Sequence, residues 1–249
     1  METIKTEGII LKTYPLAEKD KIISVYTRAL GRLSGVVPRA GGASSKYGGK
    51  LESFGLVELI FLLQAQRDLV KVQSVELISS FGEGLPSYQN FLHLSLIAEI
   101  LSETSPEREP NDDLFRLLLL VLPYCKHSDG GALAALYFEI WYLKFAGVLP
   151  STRTCRKCNA LISSQEEIFV REDLTGLVCM GCRTTQDRKL SQGAFSLLGA
   201  IRQRSLNELH SEPHEVRSIA ELSRIAGEML ESNFERRFQS LRLLKSEGV

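Results

Sequence analysis

Four cysteines in two close pairs constrain this chain more than any other feature. They read Cys155-x2-Cys158 and Cys179-x2-Cys182, with twenty residues between the pairs. A C-x-x-C turn brings two thiolates within reach of one ion at about 2.3 Å, and a second turn closes a tetrahedron. The spacing therefore predicts a zinc ion held by Cys155, Cys158, Cys179 and Cys182. The stretch between the pairs, NALISSQEEIFVREDLTGLV, is similar to the two strands of a zinc ribbon. Gly181 sits inside the second pair, where a turn can call for a positive φ.

Four thiolates leave no coordination position for water or substrate, so the expected ion is structural. Other chemistries of paired cysteines fit less well. A thioredoxin-like redox pair stands beside a βαβ unit, and none is visible. A zinc deaminase carries H-x-E upstream of P-C-x-x-C. Here no H-x-E precedes the cysteines, and neither Cys155 nor Cys179 follows a proline. The alternative is four free buried thiols, and zinc content decides between the two. The fifth cysteine, Cys125, lies in an apolar helical run and reads as a small core residue.

The remaining sequence divides into blocks. Residues 1–81 are β-rich, with the runs TIKTEGIILKTY, KIISVYTRA, GRLSGVVPRA, FGLVELIFLL and LVKVQSVELISSF separated by turn chemistry. Five strands with a loop between the third and fourth suit a Greek-key barrel of the OB type. Residues 82–150 take helical period. YQNFLHLSLIAEILSET puts Phe91, Leu94, Ile97 and Leu101 on one face. Asn111 is an N-cap before Asp112 and Asp113, and Gly147 a C′ residue with Pro150 beyond. The cysteine module fills 151–189. Helical pattern returns over 190–249, capped at Ser191 and broken near Ser232–Asn233. The expected fold class is α+β: an OB barrel (1–81), a helical domain (82–150 and 190–249) and an inserted zinc-ribbon-like module (151–189).

With 249 residues, 44% of them hydrophobic, the chain can bury a sizeable core. No targeting segment or membrane span is visible, and cysteines grouped in C-x-x-C pairs suit a reducing compartment. The expectation is a soluble, cytoplasmic protein. Thirty Lys/Arg offset thirty Asp/Glu, so only the distribution of charge can speak of partners. Residues 82–150 hold 4 basic and 9 acidic residues. By contrast, no acidic residue occurs from Ser24 to Leu51, where Arg28, Arg32, Arg39, Lys46 and Lys50 lie. That stretch ends in GGASSKYGGK, which imitates a phosphate loop and fails as one. Ser44 stands where G-x4-G-K-[ST] needs its first glycine, Leu51 follows Lys50, and the next element is a strand. A basic, glycine-rich loop instead suits a polyanion, with Tyr47 and Phe54 as candidates for stacking on bases. The bland alternative is a solvated loop. His93 reads as a packed or surface histidine. Tyr137, Trp141, Tyr142 and Phe145 are numerous for one helix and could line a groove for a peptide.

Three stretches together resemble the DNA repair protein RecO family. They are TEGIILKTYPLAEKDKIISVYTRALGRLSGVVPRA with its E-x-D and G-R-L-S, LESFGLVELIFL, and the closing FERRFQSLRLL. Ser53 stands where the family commonly has proline. The resemblance spans essentially the whole chain. The family includes members with a four-cysteine zinc module at this position and members without it. The resemblance implies a non-enzymatic recombination mediator that binds single- and double-stranded DNA through its OB domain and anneals complementary strands. It also implies work with RecR to load RecA onto DNA covered by single-stranded-DNA-binding protein, whose acidic C-terminal tail the helical domain contacts. Such a protein is cytoplasmic and joins the nucleoid when bound to DNA. Carried onto this chain, Arg28, Arg32, Arg39, Lys46 and Lys50 hold phosphates. The rival readings are an OB-plus-ribbon scaffold that binds RNA in transcription or translation, and a zinc-dependent enzyme acting on nucleic acid. No cluster of His, Asp and Glu at catalytic spacing supports the enzyme.

Overall fold

The computed structural model describes residues 2–16, 18–42, 45–63, 68–128, 130–163 and 166–247. The chain forms two compact units: Met1–Gly131 with Phe238–Gly248, and Ala132–Arg237. The boundary falls inside the first helical block of the sequence, so α1 and α2 below belong with the barrel.

In the first unit, β1 (Glu2–Leu16), β2 (Asp20–Thr27), β3 (Gly31–Val37), β4 (Gly55–Leu63) and β5 (Leu69–Ser80) close into a barrel of order β1-β2-β3-β5-β4. All neighbours are antiparallel except β3 and β5, which pair in parallel from Ser34–Leu69 to Val36–Lys71. This is the five-stranded OB arrangement. β3 and β4 alternate cleanly between buried and half-buried residues, as a strand with one face on a core should. β1 does not: Ile9, Ile10 and Leu11 are buried in succession. A register shift against β2 between Ile10 and Lys12 falls in this run; Ile10 enters the barrel core, while Leu11 lines a cavity beneath α1 and α7. Gly8 and Gly35 leave space there. A Cβ on Gly8 would come within 2.7 Å of Val25 Cγ2, and one on Gly35 within 2.9 Å of Val70 Cγ2.

Among the described residues, this unit also holds three α-helices, α1 (Tyr88–Thr104), α2 (Asp112–Val121) and α7 (Gln239–Ser246), and a 3₁₀ turn over Leu122–Lys126. Ser87 caps α1 by accepting from the Asn90 N–H, and Asn111 caps α2 by accepting from the Leu114 N–H. The two Glu99 carboxylate oxygens receive the N–H groups of Gln239 and Ser240, at 2.7 and 2.9 Å, and so cap α7. α1 buries Leu94, Ile97 and Leu101 as its period predicts. Phe91, placed on the same face by sequence, is instead 44% exposed.

The second unit holds α3 (Gly131–Phe145), α4 (Gln192–Gln203), α5 (Leu206–His210), α6 (Val216–Phe234) and a small sheet of β6 (Ile168–Val170), β7 (Leu177–Cys179) and β8 (Arg188–Leu190). The strand order is β7-β6-β8, one strand more than the ribbon expected from sequence. Gly147 takes φ 73 as the C′ residue of α3. Ser191 caps α4, and Ser205 with Glu208 forms a complete capping box on α5. α6 ends at Glu235 with φ 53, close to the break expected at Ser232–Asn233. Most of the aromatic surplus of α3 is structural. Tyr137 is buried and donates to Arg204 O at 3.4 Å, Trp141 Nε1 donates to Ile201 O at 3.2 Å, and Tyr142 packs on Phe234. Phe145 remains exposed at 36%. Among the described residues no helix is long and apolar enough to cross a membrane.

Candidate metal centre and nucleic-acid interface

The sulfur atoms of Cys155, Cys158, Cys179 and Cys182 all lie within 4.8 Å of one another, with Cys158 and Cys179 at 3.9 Å. A tetrahedron with arms of about 2.3 Å has edges of about 3.8 Å. The cage thus fits one zinc ion after a small contraction. Among the described residues it is the one group of three or more His, Cys, Asp or Glu placed to hold a metal.

The local sequence explains how the four thiols meet. The Cys155 N–H donates to Ala160 O at 2.8 Å and the Asn159 N–H to Cys155 O at 2.9 Å, closing the first knuckle. Asn159 takes φ 58, a left-handed position that asparagine tolerates better than most residues. The Arg156 N–H then bonds Leu177 O at 2.8 Å, tying this knuckle to β7, whose last residue is Cys179. Between the pairs, Asp173 tightens the β6–β7 hairpin. Its carboxylate accepts from Arg171 at 2.9 and 2.7 Å and from the Thr175 N–H at 3.1 Å, and the Arg171 guanidinium holds the carboxyl well below the usual range. In the second knuckle the expectation of a positive φ at Gly181 is not met. Met180–Cys182 forms a 3₁₀ turn, which closes at negative φ.

Cys155 is buried, Cys158 is exposed, and Cys179 and Cys182 lie between. Burial pushes the Cys155 thiol up, but the N–H groups of Cys158, Cys179 and Lys157 aimed at its sulfur prevail and bring it down to about 6. Hydrogen bonding with the Cys158 and Cys179 thiols pushes Cys182 up to about 12. Four thiols this close cannot all ionise alone. A divalent cation removes the conflict and makes every sulfur a thiolate. Cys125 is unlike them: it is fully buried, and burial pushes its thiol up to about 12, as expected of a core residue.

The five basic residues read from the barrel sequence stand before, within and beyond β3, whose seven residues span about 20 Å at about 3.3 Å per residue. Before it, Arg28 pairs with Asp112 at 2.8 Å and Glu7 at 3.2 Å. Arg32, the second residue of β3, pairs with Glu107 at 3.0 Å and donates to Ser105 O at 2.9 Å. Beyond β3, Lys50 pairs with Glu76 at 2.7 Å. Arg39 and Lys46 are exposed, and among the described residues neither side chain meets a carboxylate. Arg39 is held at φ 56, its N–H donating to Asp20 at 2.9 Å, and Lys46 sits 4.8 Å above the Tyr47 ring. Ala43 and Ser44 of this loop lie outside the described residues.

Tyr47 and Phe54 are each only 5% exposed and cannot stack on bases as expected from sequence. Tyr47 belongs to the barrel core and its hydroxyl donates to Gln73 O at 3.3 Å. Among the described residues, the exposed Phe and Tyr rings of this unit are Tyr14, Tyr88 and Phe91. Sequence reasoning missed the last two because it counted α1 as core. The signal available was Tyr88 in the first turn of a helix, one turn before Phe91.

Comparison with known proteins bears on the whole chain. The family model described as "Recombination protein O N terminal" matches residues 1–81, and "Recombination protein O C terminal" matches residues 85–242. The chain belongs to the RecO family. Among its RecO relatives is the DNA repair protein RecO of Koribacter versatilis, 27% identical over 96% of this chain and 97% of the relative. That of Bifidobacterium adolescentis is 29% identical over 98% and 100%. That of Syntrophus aciditrophicus is 30% identical over 74% and 71%. RecO membership places the chain in DNA repair and recombination, with an OB-type barrel at its N-terminus and four clustered cysteines fit to hold a metal.

Proposed function

We propose that this chain is a non-enzymatic recombination mediator. It binds single- and double-stranded DNA on its barrel, anneals complementary strands and, with RecR, helps load RecA onto DNA covered by single-stranded-DNA-binding protein. The observation that carries this reading is the acid-free stretch 24–51 on an OB barrel, in which Arg39 and Lys46 stand exposed without a carboxylate. They are the first phosphate contacts. Arg28 and Lys50 join by exchanging surface carboxylates for phosphates, an exchange that is inexpensive because exposed ion pairs contribute little; Arg32, largely covered and also bonded to Ser105 O, joins at a greater cost. Annealing needs no catalytic group. It needs two strands held loosely enough to search for register. One zinc ion on Cys155, Cys158, Cys179 and Cys182 is structural and holds the two knuckles together. The acidic tail of the binding protein docks on helical surface.

The test is a DNA titration over a range of salt. Wild-type protein binds a fluorescent single-stranded oligonucleotide at low salt and loses affinity steeply as salt rises. The double variant Arg39→Glu/Lys46→Glu loses two phosphate contacts. Its log–log salt slope falls by about 1.4 for single strands, while its thermal stability stays within about 0.5 kcal/mol of wild type because both side chains are exposed. An unchanged slope removes the basic loop from the mechanism. A wild-type protein that neither binds the oligonucleotide nor speeds annealing sinks the mediator reading.

A further inference from the structure

A cavity of about 280 Å³ opens in the first unit where α1 and α7 meet β1. Its lining includes Lys12, Phe54, Tyr88, Phe91, Gln239 and Leu243. Tyr88 and Phe91 are stacked, with centroids 6.3 Å apart and planes 19° from parallel. Both rings are open to solvent, at 54% and 44% exposure. Exposed aromatic rings usually serve contact, since leaving them in water forgoes their burial.

The platform is built rather than accidental. Phe54 is buried and meets Phe91 edge-on, at 6.1 Å and 82°, which fixes the plane of the Phe91 ring. Phe54 itself is held at φ 67, a conformation that a bulky side chain rarely adopts. Its N–H donates to Ile10 O at 2.7 Å, and its carbonyl accepts from Phe81 N at 3.1 Å. Strain of this kind persists where surrounding structure enforces it, and it gathers at ligand clamps.

The charges around the cavity select a polyanion. Glu99 is the one carboxylate in the lining, and both of its oxygens are already taken by the N–H groups of Gln239 and Ser240. Lys12 lines the opening, and Arg242 and Lys245 stand exposed on α7. Among the described residues none of the three meets a carboxylate. Pockets for drug-sized molecules begin at about 300 Å³. The space here suits one flat ring system, with serine and glutamine groups at its edge. An acidic peptide end would call for an arginine fork facing inward, and the lining offers only Lys12.

We propose that this cavity takes one unpaired base of single-stranded nucleic acid, stacked on the Tyr88–Phe91 pair, with Lys12 facing the flanking phosphate. Phe54 is a positioning residue that orients Phe91. The inference rests on the DNA-binding reading above but uses a surface other than the basic loop. It gives the molecule a means of preferring single strands, which cations alone do not supply.

The test uses the full-length protein and a single-stranded oligonucleotide carrying 2-aminopurine, beside the same sequence as a duplex. Wild-type protein quenches the 2-aminopurine signal on binding. Tyr88→Ala loses that quench and weakens single-strand binding between about 5- and 150-fold, the range that one stacked base supplies. Its duplex affinity does not change. Tyr88→Phe, which keeps the ring, returns both readouts to within about twofold of wild type. Tyr88→Ala with full quench and full single-strand affinity overturns the proposal, as does an equal loss for duplex and single strand. So does a variant that keeps its oligonucleotide binding and loses an acidic peptide with an aromatic residue near its end; that outcome assigns the pocket to a peptide. Wild-type protein that binds neither DNA refutes the parent reading instead.

Discussion

The barrel and the cysteine module solve the same problem by opposite means. The barrel is held by burial. Ile10, Ile23, Val25, Leu33, Val37, Val57, Leu59, Phe61, Val70, Val72 and Val75 come from all five strands and form one cluster. The cysteine module has almost no interior of its own. Its buried cluster is Cys155, Phe169 and Val178. Three three-residue strands and a pair of knuckles bury too little surface to offset the backbone entropy of ordering them, which costs about 1–2 kcal/mol per residue. Four converging thiols supply what the missing core does not. The cysteine spacing is therefore as strict as the barrel's hydrophobic pattern is forgiving.

The largest effect should come from removing the metal. Structural zinc in small peptides contributes apparent binding energies of about 10–16 kcal/mol, more than any single contact in the module. Purified protein is expected to carry close to one zinc per chain, and a ratio below about 0.3 without chelator treatment would contradict the site. Chelation, or Cys158→Ser, should unfold the module and abolish hydrogen-exchange protection in β6 and β7. Protection of the barrel strands should survive. If barrel and module melt together on chelation, the contrast drawn between them is wrong.

The converse experiment strikes the barrel. Phe61 is fully buried at the centre of its cluster. Phe61→Ala should cost about 3–5 kcal/mol, the usual loss for a large aromatic core residue. Chemical denaturation would report it as a lower midpoint with little change in slope, with zinc content unaltered. A cost below about 1 kcal/mol would mean that the barrel interior collapses around the gap.

The two regions also differ in how far they can be read in sequence. The module's ligands are visible at once, because a C-x-x-C pair is a local geometric device. So are the five strands, each a run of β-branched residues between turn residues, and the caps at Asn111 and Ser191. What depends on distant partners stays hidden. Arg28 and Arg32 look free in an acid-free stretch, yet they meet Asp112 and Glu107, some 80 residues on. Tyr47 and Phe54 look like stacking residues beside a basic loop, yet the barrel core takes in Tyr47, and Phe54 is buried against Phe91 of α1. Phe91 follows the core period of α1 but faces a cavity, because α7 packs on α1 from more than 130 residues away. The bulge in β1 is equally unreadable, since Ile9, Ile10 and Leu11 are apolar whichever way they point.

The last of the expected effects separates the two units by pH. Among the described residues, each unit holds a buried acid or imidazole with an unpaired atom: His93 Nδ1 in the first and Glu139 Oε2 in the second, where Arg202 Nε is also buried and unpaired. Burial lowers His93 from 6.5 to about 4 and raises Glu139 from 4.5 to about 8. The signs are opposite. The neutral histidine favours folding fully above pH 6.5, and that contribution is lost as pH falls from 6.5 through about 4. The protonated Glu139 favours folding fully below pH 4.5, and its contribution is lost as pH rises from 4.5 through about 8. Within either window the slope approaches about 1.4 kcal/mol per pH unit. The single tryptophan, Trp141, lies in the second unit with Glu139, so its fluorescence follows the unit in which Glu139 titrates. Hydrogen exchange in α1 reports His93. Glu139→Gln cannot ionise and should flatten the tryptophan-detected stability between pH 5 and 8 without altering exchange in α1. If that variant kept the wild-type pH profile, the burial of Glu139 would not be what ties the second unit to pH.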